Sequence, residues 1–310
     1  MRTFEKQNPQ NEKIPNNQIW YTSSGGETVN PNVTDFEIGI VANTHENGKG
    51  IIVFDSKLTS IGGEVFQDCE ALESIAFPNS VTSIEYSAFG WCSNLRSVIF
   101  GNSVISIGEY AFEGCSKLTN IAIPKSVSEI GEAAFKDCQS IASIAIPDGV
   151  TSIEDSVFFG CKSLVSVSIP NGVTSIGKNA FYGCKGLVSI SMPNSISSIG
   201  KNAFSGCKNL ASVSISNGVA SIENDAFSVC ESLASITIPN SVSLIGNYAF
   251  VGCLNLVEVY CKATTPPSLG SDVFYGTADD STIYVPMESV DLYKSKWESY
   301  ASRIVGYDFE

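Results

Sequence analysis

The chain contains a single histidine, His45, and no Cys-x-x-Cys or Cys-x-x-His pair. A zinc site of the usual ligand spacing is thereby excluded, and no Ser/His/Asp or Cys/His arrangement can be assembled. Phosphate-binding loops and dinucleotide fingerprints are missing. Carboxylates are numerous but scattered over surface positions, where they read as solvated decoration. Neither an enzyme nor a cofactor or metal is expected. No run approaches the roughly 18 apolar residues of a membrane-spanning helix. Basic residues are few: 18 Lys and Arg against 32 Asp and Glu leave a formal charge of −14, which repels nucleic acid. With 43% hydrophobic and 16% charged residues, the chain can bury a core. Residues 1–17 are polar, lack a signal-peptide core and read as a flexible tether.

What the chain does have is a period. Cys69, Cys92, Cys115, Cys138, Cys161, Cys184, Cys207, Cys230 and Cys253 are spaced by 23 residues without insertion or deletion. Self-similarity this strict marks a stacked repeat architecture. A Phe stands three residues before every one of them, from Phe66 to Phe250. Apolar residues follow in two alternations per repeat, as Ile190 and Met192, then Ile196 and Ile199. Alternation at period two is the mark of a strand with one buried face. In the repeat 180–202, a first strand closes at Pro193, which cannot donate to a ladder, and Pro193-Asn194-Ser195 turns the chain into a second strand. The remaining residues have the length of about two helical turns. Each repeat thus reads as strand, turn, strand and short helix. Gly108, Gly131, Gly177, Gly200 and Gly246 end the second strand, but Glu85, Glu154 and Glu223 share that position. A left-handed backbone is therefore not expected there.

The pattern C-x-x-L-x-x-I-x-I-P, then V-x-S-I-G, then A-F-x-x-C resembles the BspA-like leucine-rich-repeat family of bacterial surface proteins over about residues 50–286. The resemblance implies an α/β repeat solenoid: a right-handed leucine-rich-repeat superhelix of about ten coils with parallel sheets, capped at both ends. The expected divisions are a tether at 1–17, a β cap at 18–50, the solenoid at 51–262 and a strand-and-helix cap at 263–310. A hairpin is expected from Ile19–Tyr21 to Thr28–Val29 around Ser24-Gly25-Gly26, with a further strand over Phe36 to Val41. Trp20 is read as packing over the open end of the stack. At the other end, Cys261 falls in an inward position. Ile283 to Val285 form a last strand, and Val290, Tyr293, Trp297, Tyr300 and Ile304 make one face of an amphipathic helix. The cysteine column is read as free, buried thiols, since its neighbours lie one rung apart and pairing along a column has no folding logic.

The outward first-strand positions form a ladder of small groups, Ser166 and Ser168, Ser189 and Ser191, Ser212 and Ser214 among them. Small side chains suit a tightly wound sheet, and they also make a flat surface for a large partner. Outward aromatics are few, with Tyr110, Phe159, Tyr182 and Tyr248 as the candidates off that face. No acidic residue occurs between Asp155 and Glu223, whereas Lys162, Lys178, Lys185, Lys201 and Lys208 all do. By register, Lys162, Lys185 and Lys208 form one column and Lys178 and Lys201 another. Either they keep the array soluble or they contact an anionic partner. The family resemblance implies non-enzymatic binding outside the bacterial cell, to host matrix proteins such as fibronectin or fibrinogen or to another cell-surface protein. The alternatives are capture of a glycan, acidic ones included, and a spacer without a ligand. Export would rest on a signal or lipid anchor that this sequence does not show.

Overall fold

A computed structural model describes residues 13–32 and 38–309. Most of the expected tether, up to residue 12, and Phe36 and Glu37 of the expected strand lie outside the described residues. The chain forms two compact units, one up to Ile141 and one from Ala142 onward.

The first unit begins with β1 (Gln18–Ser23), β2 (Ile40–Glu46) and β3 (Lys49–Phe54). β2 and β3 form a hairpin whose two turn residues, Asn47 and Gly48, both have positive φ, as the tightest hairpin turns require. β1 runs antiparallel to β3 on one side and to β5 (Leu72–Ala76) on the other. The hairpin expected between Ile19–Tyr21 and Thr28–Val29 does not form, because both edges of β1 are already taken. Val29 is instead held by side chains: its N–H donates to Tyr21 Oη (3.2 Å) and its carbonyl accepts from Asn43 Nδ2 (2.7 Å). Gly50 faces Tyr21, and any Cβ there would fall within 2.1 Å of the ring. Ile19 and Tyr21 are fully buried, while Trp20 points to the opposite face, half-buried beneath Lys49 Nζ at 3.2 Å. Contrary to expectation, the inward packing at this end comes from Trp20's two neighbours. Beyond β5 the sheet continues in parallel through β7 (Ser97–Ile99) and β9 (Asn120–Ile121). A second parallel sheet contains β4 (Ser60–Ile61), β6 (Ser83–Ile84), β8 (Ser106–Ile107) and β10 (Glu129–Ile130).

The second unit keeps the two runs of strands. First strands are β11 (Ser143–Ala145), β12 (Ser166–Ser168), β14 (Ser189–Ser191), β16 (Ser212–Ser214), β18 (Ser235–Ile238), β20 (Glu258–Cys261) and β22 (Thr282–Pro286). They fall into three sheets, β11 with β12, β14 with β16, and β18 with β20, β22 and the last strand of the chain. Second strands are β13 (Ser175–Ile176), β15 (Ser198–Ile199), β17 (Ser221–Ile222), β19 (Leu244–Ile245) and β21 (Ser268–Leu269), in one parallel sheet. Every pairing between repeats is shifted by one repeat, as in Ser189 with Ser212 and Ile190 with Val213. The fold is a parallel-sheet solenoid with little helix.

The short helix expected in each repeat is a third run of turns. Phe204 N donates to Ala226 O and Gly206 N to Ser228 O, both at 2.8 Å, so these amides pair with the next repeat. They are thereby lost to an i→i−4 helix. Alternate amides close tight turns instead, as Ser205 N does onto Asn202 O (3.1 Å). The reversal needs two left-handed residues per repeat, one five residues before Cys (Asn179, Asn202, Asp225) and one immediately before it (Gly183, Gly206, Val229). Gly108, Gly131, Gly177, Gly200 and Gly246 have ordinary φ, as expected from the Glu that replaces them elsewhere.

Among the buried Leu, Val, Ile and Ala of each repeat run a Phe column and a Cys column. Phe158, Phe181, Phe204, Phe227, Phe250 and Phe274 stack in the second unit at centroid spacings of 5.2–5.6 Å, with Phe66 to Phe135 doing the same in the first. All ten cysteines are free thiols, nine of them buried. The thiol of Cys207 donates to Phe181 O (3.2 Å), that of Cys230 to Phe204 O and that of Cys253 to Phe227 O. In the first unit Cys92, Cys115 and Cys138 donate to Phe66, Phe89 and Phe112. Each of these carbonyls already accepts from the backbone N–H of the Cys three residues on, as Phe181 O does from Cys184 N (3.1 Å), so the thiol fills the column and adds a second, weaker donor.

Beyond β22, α1 (Val290–Lys296) is shorter than the expected helix. A 3-10 segment takes over at Glu298, and Ile304 opens β23 (Ile304–Tyr307), which pairs in parallel with β22. Tyr293 and Trp297 are buried, donating to Ala263 O (2.7 Å) and Pro267 O (3.0 Å). Their polar tips are satisfied by the loop that interrupts the repeats.

Candidate functional site

The first-strand face of the second unit gathers the expected serines. Ser166 and Ser168 lie beside Ser143 and Ala145, and Ser189 and Ser191 beside Ser212 and Ser214. All seven of these serines are exposed, while Ile144, Ile190 and Ile236 between the strand-edge positions point inward and are buried. The alternation of Ser with Ile or Val is what turns one set outward and the other into the core.

Lys162, Lys178, Lys185, Lys201 and Lys208 are all exposed. The structure does not place them on the serine face itself. Lys162, Lys185 and Lys208 each directly follow the Cys, in the bend that leads into a first strand. Lys178 and Lys201 stand at the far side of the turn-built run, just after a second strand. Only the first column therefore borders the ladder. Lys208 Nζ is paired with Glu231 Oε1 at 2.6 Å, which offsets one charge of that column where acidic residues resume. The backbone N–H of Lys178 donates to Asp155 Oδ1 (2.6 Å).

Between lysines and serines runs a column that sequence reasoning missed. Four residues after each Cys stand Ala142, Val165, Val188, Ala211, Ala234 and Val257, all exposed, with Val165 at 48% and Val188 at 46%. In the first unit the same column holds Glu73, Arg96 and Thr119. The signal was legible as a column of small and β-branched apolar residues before the outward serines. The exposed surface of the second unit is thus layered: ammonium groups, then an apolar ridge, then hydroxyls.

The expected outward aromatics lie off the first-strand face, as read: Phe159 and Tyr182 stack at 4.8 Å and Tyr248 is exposed, all on the turn-built run. On the first-strand face itself, Tyr260, Tyr284, Tyr307 and Phe309 come together, Tyr260 and Tyr284 stacked at 4.7 Å. Burial, and then the charge of Glu258, raise the Tyr260 phenol above its ordinary pKa.

No helix among the described residues is long and apolar enough to cross a membrane. The sequence profile of the BspA type leucine-rich-repeat region matches residues 49–165 and 151–281 in six copies. Among curated proteins none matches. A leucine-rich repeat protein from Bacteroides ovatus is similar in structure, with a TM-score of 0.68 and 29% identity over 78% of this chain. The aligned part is 61% of that protein, so this chain spans less than two thirds of its length. A leucine-rich repeat protein of T. pallidum is 32% identical over 52% of this chain and 77% of its own, with a TM-score of 0.48. A leucine-rich cell surface protein from Faecalibacterium prausnitzii is 24% identical over 86% of each chain, with a TM-score of 0.41. The profile match takes in most of the chain and every one of the nine cysteine repeats: this protein belongs to the BspA-type leucine-rich-repeat family of bacterial proteins.

Proposed function

We propose that the protein is a non-enzymatic binding protein of the bacterial cell surface, engaging a macromolecular partner along the first-strand face of its second unit. Membership of a family of bacterial surface repeat proteins supports a binding role, and the family resemblance points to host matrix proteins such as fibronectin or fibrinogen, or to proteins of another cell. The observation that carries the reading is the layered surface: Lys162 and Lys185 beside Val165 and Val188 beside Ser166, Ser168, Ser189 and Ser191. An apolar ridge flanked by hydrogen-bonding groups and one sign of charge is the composition of a protein interface. The lysine column sits on a body of net charge −14, so it orients an acidic partner segment toward this side.

The test is binding of the purified chain to immobilised fibronectin and fibrinogen at low and moderate salt, beside a variant with Lys162, Lys185 and Lys208 changed to Glu. Saturable binding is expected, weakened by salt and reduced about tenfold or more in the variant. Binding that ignored both salt and the variant would remove the lysines from the site. No binding to any protein partner would leave the array a spacer.

A further inference from the structure

On the outward face of the sheet formed by β18, β20, β22 and β23, a cleft of about 710 Å³ is lined by Thr237, Tyr260, Lys262, Tyr307, Asp308 and Phe309. From this cleft we infer a second binding site, for the hexopyranose rings of a neutral glycan.

The argument starts from the strands. Tyr260 and Tyr284 occupy paired outward positions on β20 and β22, so their rings stack at 4.7 Å with 13° between planes. Tyr307, the last residue of β23, meets both edge-on, at 5.5 Å from Tyr260 and 5.4 Å from Tyr284. Phe309 closes on Tyr307 at 4.9 Å. The stacked pair uses its own faces for cohesion and braces Tyr307, which remains 43% exposed. An aromatic group that is fixed by its neighbours yet open to solvent loses little freedom when a ligand lies on it.

The rest of the lining is polar in both senses. Thr237 offers a hydroxyl, Lys262 an ammonium and Asp308 a carboxylate, all exposed, and among the described residues neither charged group is in an ion pair. A pyranose ring presents an apolar face of C–H groups and a rim of hydroxyls that both donate and accept. The cleft matches that division, with ring surfaces for the C–H face and donors and an acceptor for the rim. One positive and one negative group select no charged substituent, which distinguishes this cleft from the lysine column. Its volume falls within the range of about 300–1,000 Å³ for small-molecule sites. Every lining residue belongs to the second unit.

The inference does not rest on the protein-binding reading, and one experiment separates them. Saturation-transfer NMR is run on the full chain with cello-, laminari-, malto-, xylo- and mannohexaose, with decaproline as a rival occupant of an aromatic cleft. Transfer to the ring protons of at least one hexasaccharide is expected. Its affinity should fall about tenfold or more in Tyr307→Ala and drop measurably in Lys262→Ala, while the triple lysine-to-Glu variant binds as the wild type. Both substituted residues are exposed, and an unchanged melting temperature would exclude misfolding. No transfer from any hexasaccharide, transfer unaltered in both cleft variants, or binding of decaproline alone overturns the assignment.

Discussion

The most repeated chemical choice in this chain is a cysteine that makes no disulfide, and its reason is local. Most of the buried thiols fill one rung of the core and donate a hydrogen bond to the Phe carbonyl of the preceding repeat, at 3.1 Å in Cys115 and Cys253. Ellman's reagent should accordingly find little thiol besides Cys69 in the native protein and ten in denaturant. Cys207→Ala should cost the lost volume plus the weak S–H bond, since Phe181 O keeps its other donor, the Cys184 N–H at 3.1 Å, whereas Cys207→Ser should keep a donor in place at the cost of a more polar buried group. Burial pushes the Cys207 thiol from its ordinary 9.0 up to about 12. The folded state therefore holds that proton more tightly than the unfolded one. Its contribution is fully present below about pH 9 and is lost as pH rises toward about 12. Urea midpoints that stayed flat from neutral pH up through that window would contradict the burial of the column. At the same scale, Phe181 is fully buried between Phe158 and Phe204, and Phe181→Ala should cost about 3–5 kcal/mol by chemical denaturation.

At the scale of the element, the turn-built run is where sequence reading and structure part company. The two strands of each repeat were legible, because Ser/Ile alternation and Pro193 act within a few residues. The run after the second strand has the length of about two helical turns, and that length is what suggests a helix. What overrides this is non-local: its amides find carbonyls one repeat away, information no single repeat contains. The left-handed positions follow from that, and they differ in strain. Val229 sits at φ 57°, 36% exposed, in a conformation that a β-branched residue rarely adopts. Val229→Gly should therefore raise stability by about 0.5–1 kcal/mol, while Gly206→Val, at φ 73°, should lower it by about 1–2 kcal/mol. A pair of effects with the same sign would show that the backbone relaxes at these corners.

For the molecule as a whole, repetition decides both what was readable and what was not. Nine register-perfect copies made the solenoid, its inward columns and the outward serines evident, because every position is seen many times. Tyr307 and Phe309 occur once each, outside any repeat, and nothing in their spacing places them against Tyr260; only the return of β23 beside β22 does so. Repetition also means that each turn is held chiefly by its neighbours, so stability is a sum of local interfaces. Phe181→Ala should thus broaden the urea transition as well as shift it, with a smaller m-value than the wild type. The thiol column adds a dimension of time to this behaviour. While the stack is closed, no oxidant reaches the nine buried sulfurs; when a few turns open, their cysteines meet it together, and a sulfenic or disulfide product does not fit back into the space a thiol left. Under oxidising conditions a reversible opening becomes a permanent scar, so the working life of this protein is set by how often its turns part and not by how stable they are on average.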